Sequence, residues 1–174
     1  AGKSPEHVER VSERNGTHKV VFAKNSKTYI DKFSNIATPT QVSLHQASGE
    51  HIVWLTENKL DESHPVFPYF ENFVQPEFGS LKSDDEVTDL YYKLYKPQTM
   101  TPGKKYPVIV KVYGGPHAQR VTNSWSNRDL MIQHMVQQGY IVFQLDNRGS
   151  NYRGTAFEFP IYENLGEVEV TDQI

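Results

Sequence analysis

The chain has 174 residues, with 18 Lys+Arg against 21 Asp+Glu and a formal net charge of −3 with His neutral. That near balance excludes the basic excess of a nucleic-acid-binding surface, and the absence of Cys excludes disulfides, thiol nucleophiles and thiolate metal sites. A hydrophobic fraction of 37% with 12% aromatic residues supplies one modest core and is not the composition of a disordered chain; no apolar run approaches the ~20 residues of a membrane-spanning helix.

The first residues, Ala1-Gly2-Lys3-Ser4-Pro5, carry neither an initiator Met nor the charged-then-apolar pattern of a signal peptide. The last, Glu167 to Ile174, read as a helix that has just begun. Both ends predict a piece of a longer polypeptide.

Residues 6–56 predict short β-strands. Apolar residues recur in brief runs (Val8/Val11, Val20-Val21-Phe22, Tyr29-Ile30/Phe33, Val42/Leu44, Ile52 to Leu55), and turn signals separate them at Asn15-Gly16, Asn25-Ser26, Ala37-Thr38-Pro39 and Ser48-Gly49. Strands at this spacing suit a sandwich, a barrel or a propeller, and residues 15–44 are long enough for most of one propeller blade. No second copy of that stretch occurs in the chain. Residues 57–75, with Pro65, Pro68 and several Asn, predict an irregular linker whose aromatics (Phe67, Tyr69, Phe70, Phe73) pack on something. Residues 76–95 predict a hairpin: a strand to Lys82, a polar turn at Ser83 to Glu86, and a longer strand to Tyr95.

Beyond Pro97 the pattern changes. Val108 to Tyr113 is a nearly continuous apolar run, the mark of a strand covered on both faces. Asp129 to Gln138 is amphipathic at helical spacing, with Gly139 where a helix C-cap belongs. Tyr140 to Leu145 is a second buried-type strand. Strand, helix, strand is a βαβ unit, so the two strands are expected to be parallel.

Two loops carry the candidate chemistry. Tyr113-Gly114-Gly115-Pro116-His117-Ala118-Gln119 follows a strand and precedes a helix, the place where open α/β sheets put their ligands. Glycines there admit close backbone approach to a ligand, and the equivalent loop of α/β-hydrolases supplies an oxyanion donor. The same residues also serve as a tight turn with no chemistry. Asp146-Asn147-Arg148-Gly149-Ser150 ends the next strand; an Arg there can bind a substrate carboxylate or brace neighbouring loops through its five donors. His7, His18, His45, His51 and His64 are expected at the surface or in turns, and neither His117 nor His134 has a nucleophile and carboxylate beside it. No H-E-x-x-H, G-x-G-x-x-G or P-loop occurs, so no metal or cofactor is expected. No G-x-S-x-G elbow occurs either, so these residues alone cannot assemble a Ser-His-Asp triad.

Val110 to Gln119, Leu145 to Ser150, Arg153-Gly154 and Leu165-Gly166-x-Val168-Glu169-Val170-x-Asp172-Gln173 together resemble the prolyl oligopeptidase family of serine peptidases, and within it the dipeptidyl peptidase IV branch, especially its bacterial members. The resemblance is clear from Tyr106 to Ile174 and loose over residues 1–75. It implies a mixed fold class: the end of an all-β propeller over residues 1–75, then the N-terminal part of an α/β-hydrolase domain over residues 76–174. It implies a serine exopeptidase that releases N-terminal dipeptides with Pro or Ala penultimate. Tyr113 matches the tyrosine whose hydroxyl completes the oxyanion hole, with Gly114, Gly115, Pro116, Asp146 and Arg148 as structural neighbours of the site. The Ser, Asp and His of the triad and the Glu residues that bind the substrate amine are expected outside this chain, which is then inactive alone and, cut at an apolar sheet edge, poorly stable. Expected partners are a peptide substrate, the remainder of the same polypeptide and a possible second copy in a homodimer. Bacterial relatives point to a periplasmic or secreted location, with the cytoplasm left open. The rival readings are a tripeptidyl or acylaminoacyl peptidase of the same family and a non-catalytic propeller binding protein with a degenerate hydrolase domain.

Overall fold

The short β-branched and aromatic runs form four strands, β1 (Thr17–Phe22), β2 (Thr28–Asn35), β3 (Thr38–Gln46) and β4 (His51–Thr56), in the computed structural model, which describes residues 9–126 and 129–174. His7 and Val8, named above, lie outside the described residues. The strands pair in chain order, each antiparallel to the next. Among the described residues they belong to a first unit of residues 9–71 with 123–126; residues 72–122 and 129–174 make a second.

The buried face of the first sheet is unusually polar. Asp31 stands opposite Ser43, Tyr29 opposite His45 and Phe33 opposite Gln41, and Tyr29, Asp31, Phe33, Gln41 and Ser43 are all buried. Buried polar groups need partners. Gln41 accepts from the Arg14 guanidinium at 2.8 Å and donates to the Glu57 carbonyl. Ser43 lies 2.8 Å from His45 Nε2, while His45 Nδ1 faces the Gly49 carbonyl at 3.0 Å. The Arg14 guanidinium caps the Phe33 ring at 3.7 Å. His18 and His45 are therefore not the surface or turn residues expected. His18 lies within β1 with Nδ1 2.7 Å from the Asp31 carboxylate and Nε2 3.0 Å from the Arg14 carbonyl. The turn expected at residues 37–39 closes one residue earlier, at Ile36–Ala37, and Pro39 is fully buried inside β3. Residues 57–75 are not wholly irregular: α1 (Phe67–Phe70) forms there, and Phe70 packs on Trp125, 6.0 Å between ring centroids.

The second unit is built on β5 (Glu77–Lys82), β6 (Asp89–Tyr95), β7 (Val108–Val110) and β8 (Ile141–Asp146), in the spatial order β5-β6-β8-β7. β5 and β6 form the expected hairpin. Its turn is tied by Asp85, which accepts from Ser83 Oγ at 2.6 Å and from the Val87 and Thr88 N–H groups at 2.8 and 2.9 Å. These donors, the Ser83 hydroxyl foremost, hold the Asp85 carboxyl well below the usual carboxylate range. A carboxyl depressed in the folded state contributes stability above its unfolded value of about 4, and that contribution disappears as pH falls through the folded value. The expected result is an acid-unfolding curve that flattens below pH ~4 in Asp85→Asn relative to the parent chain; superimposable slopes would mean that Asp85 holds no proton-linked stability.

β7 and β8 are parallel, as the βαβ pattern predicts, and the other pairs are antiparallel. The joining helix α2 (Leu130–Gln137) ends with Gly139 at φ +89°. The Gly139 N–H reaches the Val136 carbonyl at 2.9 Å and the Tyr140 N–H reaches Met135 at 3.1 Å, a Schellman closure. The two-residue period of the strands splits the core. Tyr95 and Val142 pack with Ile132 and Val136 of α2. Leu90 and Leu145 face the opposite way, against Phe157 of α3 (Thr155–Glu158). One expectation fails here. Val108 to Tyr113 is not a long doubly covered strand: only Val108–Val110 pairs, and Val108 and Val110 are half-exposed. The apolar run reads as interior, but among the described residues β7 sits at the end of the strand order with β8 as its one neighbour.

Candidate active site

The ladder hydrogen bonds of β7 end with Lys111, whose N–H reaches the Phe143 carbonyl at 2.8 Å. Because β7 and β8 run parallel, the segments that follow them emerge at the same end of the sheet. The two loops singled out by sequence, 113–119 and 146–150, are thereby brought together.

The second loop holds the first from two points. Asp146 accepts from the Arg120 N–H at 2.7 Å and from the Val121 N–H at 3.0 Å. Asn147 donates to the Gly114 carbonyl at 3.3 Å and accepts from Gln173 Nε2 at 3.0 Å. Asp146 is 5% exposed. Burial pushes its carboxyl above the usual range, and the two N–H groups, Lys93 and Arg120 oppose that shift. Lys93, on the same strand face as Tyr95, is buried as well, and desolvation lowers its ammonium against the pull of Asp129 and Asp146. The loop between these pins takes left-handed backbone at Gly114 (φ +78°) and His117 (φ +60°).

Tyr113 stands at the start of this pinned loop, 50% exposed. The Arg120 guanidinium lies 4.8 Å from its ring centroid. A Cβ on Gly115 would lie in ordinary van der Waals contact with the ring, 3.4 Å from Tyr113 Cε1. Pro116 and His117 border a mostly apolar cavity of about 580 Å³, shared with Thr155, Phe159, Tyr162 and Leu165.

Arg148 pairs with three carboxylates. It reaches Asp172 through Nη2 at 2.6 Å and Nε at 3.1 Å, Asp85 through Nη1 at 3.0 Å, and Asp84 through Nη2 at 2.5 Å. Its own backbone N–H also donates to Asp172, at 2.8 Å. The Asp172 side chain is fully buried, and the pairing, Asp172 first, raises the guanidinium above its ordinary value. Sequence reading singled out Arg148 but none of its ligands as such. Asp84 and Asp85 are separated from it by 64 and 63 residues, and nothing local marks them as partners. Arg120 was missed too; a ring contact across a loop leaves no trace in sequence spacing.

Gly149 adds a steric requirement. Its φ is +99°, and a Cβ there would lie 2.7 and 2.9 Å from Ile161 Cγ1 and Cγ2. Gly103 shares the left-handed backbone, at φ +79°, with nothing within 4 Å. Gly149→Ala is expected to cost about 2–4 kcal/mol, the left-handed strain plus overpacking, and Gly103→Ala about 1–2 kcal/mol. Denaturant midpoints of the two variants check this; equal shifts would remove the Ile161 contact from the account.

Among the described residues no group of three or more His, Asp or Glu is placed to hold a metal ion, and no described helix is long and apolar enough to cross a membrane. Residues 125–174 match the prolyl oligopeptidase family. The chain is 33% identical over 178 aligned residues to dipeptidyl peptidase 8 of Mus musculus, covering 98% of this chain and 19% of that protein. The Homo sapiens protein of that name aligns with the same identity and coverage. A "probable dipeptidyl peptidase 4" of Emericella nidulans is 39% identical over 163 residues, covering 89% of this chain and 20% of the relative. Among solved structures, a Bacteroides ovatus protein provisionally designated dipeptidyl aminopeptidase IV superposes with a TM-score of 0.75 at 35% identity, over 92% of this chain and 22% of its own. The chain thus spans about a fifth of the length of the relatives it matches.

Proposed function

We propose that this chain, which belongs to the prolyl oligopeptidase family of serine peptidases, is part of an enzyme that removes dipeptides with penultimate Pro or Ala from peptide N-termini. In this reading residues 1–75 are the last strands of a β-propeller. Residues 76–174 open an α/β-hydrolase domain whose nucleophile lies elsewhere in the polypeptide. The antiparallel meander β1-β2-β3-β4 and the parallel β7-β8 pair support that division.

The observation that carries the proposal is the half-exposed Tyr113 phenol on a loop pinned by Asp146 and Asn147 at the end of the parallel pair. A serine hydroxyl attacking the scissile carbonyl makes a tetrahedral oxyanion, and a donor held rigidly near ~3 Å stabilises it. Tyr113 O–H is that donor; it gives no proton away and relaxes when the carbonyl re-forms. A histidine takes the serine proton and passes it to the leaving amine, releasing the shortened peptide. Water then hydrolyses the acyl-enzyme and frees the dipeptide. The chain supplies the oxyanion donor and its support, and is inactive without the rest. A periplasmic or secreted location and assembly as a homodimer belong to the same proposal.

Product analysis tests it. The full-length protein is incubated with an unblocked peptide bearing Pro second, with the same peptide N-acylated, and with one suited to tripeptide release. Dipeptide from the first alone is expected. Tripeptides or an acylated amino acid would place the enzyme in another branch of the family, and no cleavage at all would favour a binding protein. Hydrolysis of a Gly-Pro chromogenic substrate by residues 1–174 alone would refute the expected inactivity.

A further inference from the structure

We infer that Arg120 is a positioning residue for the Tyr113 hydroxyl, an inference that rests on the oxyanion role proposed for Tyr113. Among the described residues the Tyr113 hydroxyl makes no hydrogen bond, and half of the side chain is open to solvent. A phenol so placed turns about two torsions unless something holds its ring. The contact that holds it is the Arg120 guanidinium, 4.8 Å from the ring centroid, within the ~6 Å over which a cation is attracted to an aromatic face.

Arg120 is itself fixed from below. Its N–H and that of Val121 both end on the buried carboxylate of Asp146. The chain of constraint therefore runs from the end of β8, through the Asp146 carboxylate, to the Arg120 backbone, and through its guanidinium to the Tyr113 ring. Between the two residues the loop turns back through the left-handed backbone of Gly114, at φ +78°. A cation against the ring face restrains the ring while leaving the hydroxyl free to donate. Small misplacements of such a donor cost large factors in rate, so the restraint is expected to appear in turnover and not in substrate affinity.

The experiment is a double-mutant cycle in the full-length enzyme, reading kcat and KM separately. Arg120→Met keeps the apolar stem and removes the cation; Arg120→Lys keeps a cation. Arg120→Met is expected to lower kcat about tenfold with KM little changed, and Arg120→Lys to restore most of it. In a Tyr113→Phe background Arg120→Met is expected to add nothing, because the hydroxyl it positions is gone. Equal loss in both backgrounds, a rise in KM at constant kcat, or a Lys variant no better than Met would each overturn the inference. The two readings fail separately: an unimpaired Tyr113→Phe enzyme sinks the oxyanion role itself, whereas an impaired one with additive Arg120→Met sinks only the positioning role.

Discussion

Replacing Arg148 with Ala is expected to destabilise the second unit by about 3–5 kcal/mol, the cost of leaving one partner of a buried ion pair uncompensated. The stranded partner is Asp172, whose side chain has no exposed surface and takes two guanidinium nitrogens and one backbone N–H from Arg148. The backbone bond survives the substitution and the other two carboxylates are open to water, so the lower end of that range is the better expectation. At about 2–4 °C per kcal/mol for a chain of this size, the unfolding midpoint falls by ~10 °C. Arg148→Lys recovers little, since one ammonium cannot span the geometry of a planar fork. Asp84→Ala supplies the contrast: that carboxylate is 56% exposed, and its loss is expected to cost about 0–1 kcal/mol. Thermal unfolding of the three variants decides; an Arg148→Ala shift no larger than that of Asp84→Ala would mean that Asp172 is not held as a buried charge.

The second large effect is on catalysis. If Tyr113 has the proposed oxyanion role, Tyr113→Phe in the full-length protein is expected to lower kcat by about 10²–10³, equivalent to about 2.7–4 kcal/mol of transition-state stabilisation. The substitution removes one oxygen from a half-exposed side chain, keeps the ring beneath Arg120 and leaves the Asp146 and Asn147 pins in place. Stability is therefore expected to change by less than ~0.5 kcal/mol. KM is expected to stay near its original value, since in the proposed role the hydroxyl meets charge that develops only after attack. A KM effect without a kcat effect would make Tyr113 a substrate-binding residue.

The legible parts of this chain were those governed by local rules. Brief apolar runs separated by turn signals such as Asn25-Ser26 and Ser48-Gly49 mark the strands of the first sheet; an amphipathic run closed by Gly139 marks α2; strand-helix-strand order marks the parallel pair. Tertiary context was not legible. Val108 to Tyr113 has the composition of an interior strand, yet only three of its residues join the sheet, at its edge. His18 looked like a surface residue because its partner, Asp31, becomes a neighbour only when β1 and β2 pair. The candidate site divided in the same way. Tyr113, Asp146 and Arg148 stood out through the motifs around them. Arg120, Asp84 and Asp85 were invisible as partners, because a cation over a ring and a carboxylate more than 60 residues away follow from the fold and from no spacing.

An inhibitor that mimics the tetrahedral intermediate isolates the one hydroxyl to which the proposal gives the oxyanion. On the proposed mechanism a dipeptide boronic acid forms a tetrahedral adduct with the serine nucleophile, whereas the proposed product dipeptide presents no such centre. Affinities of both are measured for the full-length enzyme and for Tyr113→Phe. The expected result is a loss of about 10²–10³ in boronate affinity with product affinity unchanged. Equal boronate affinity in the two proteins, or an equal loss for both ligands, would contradict the assignment of Tyr113 as the oxyanion donor.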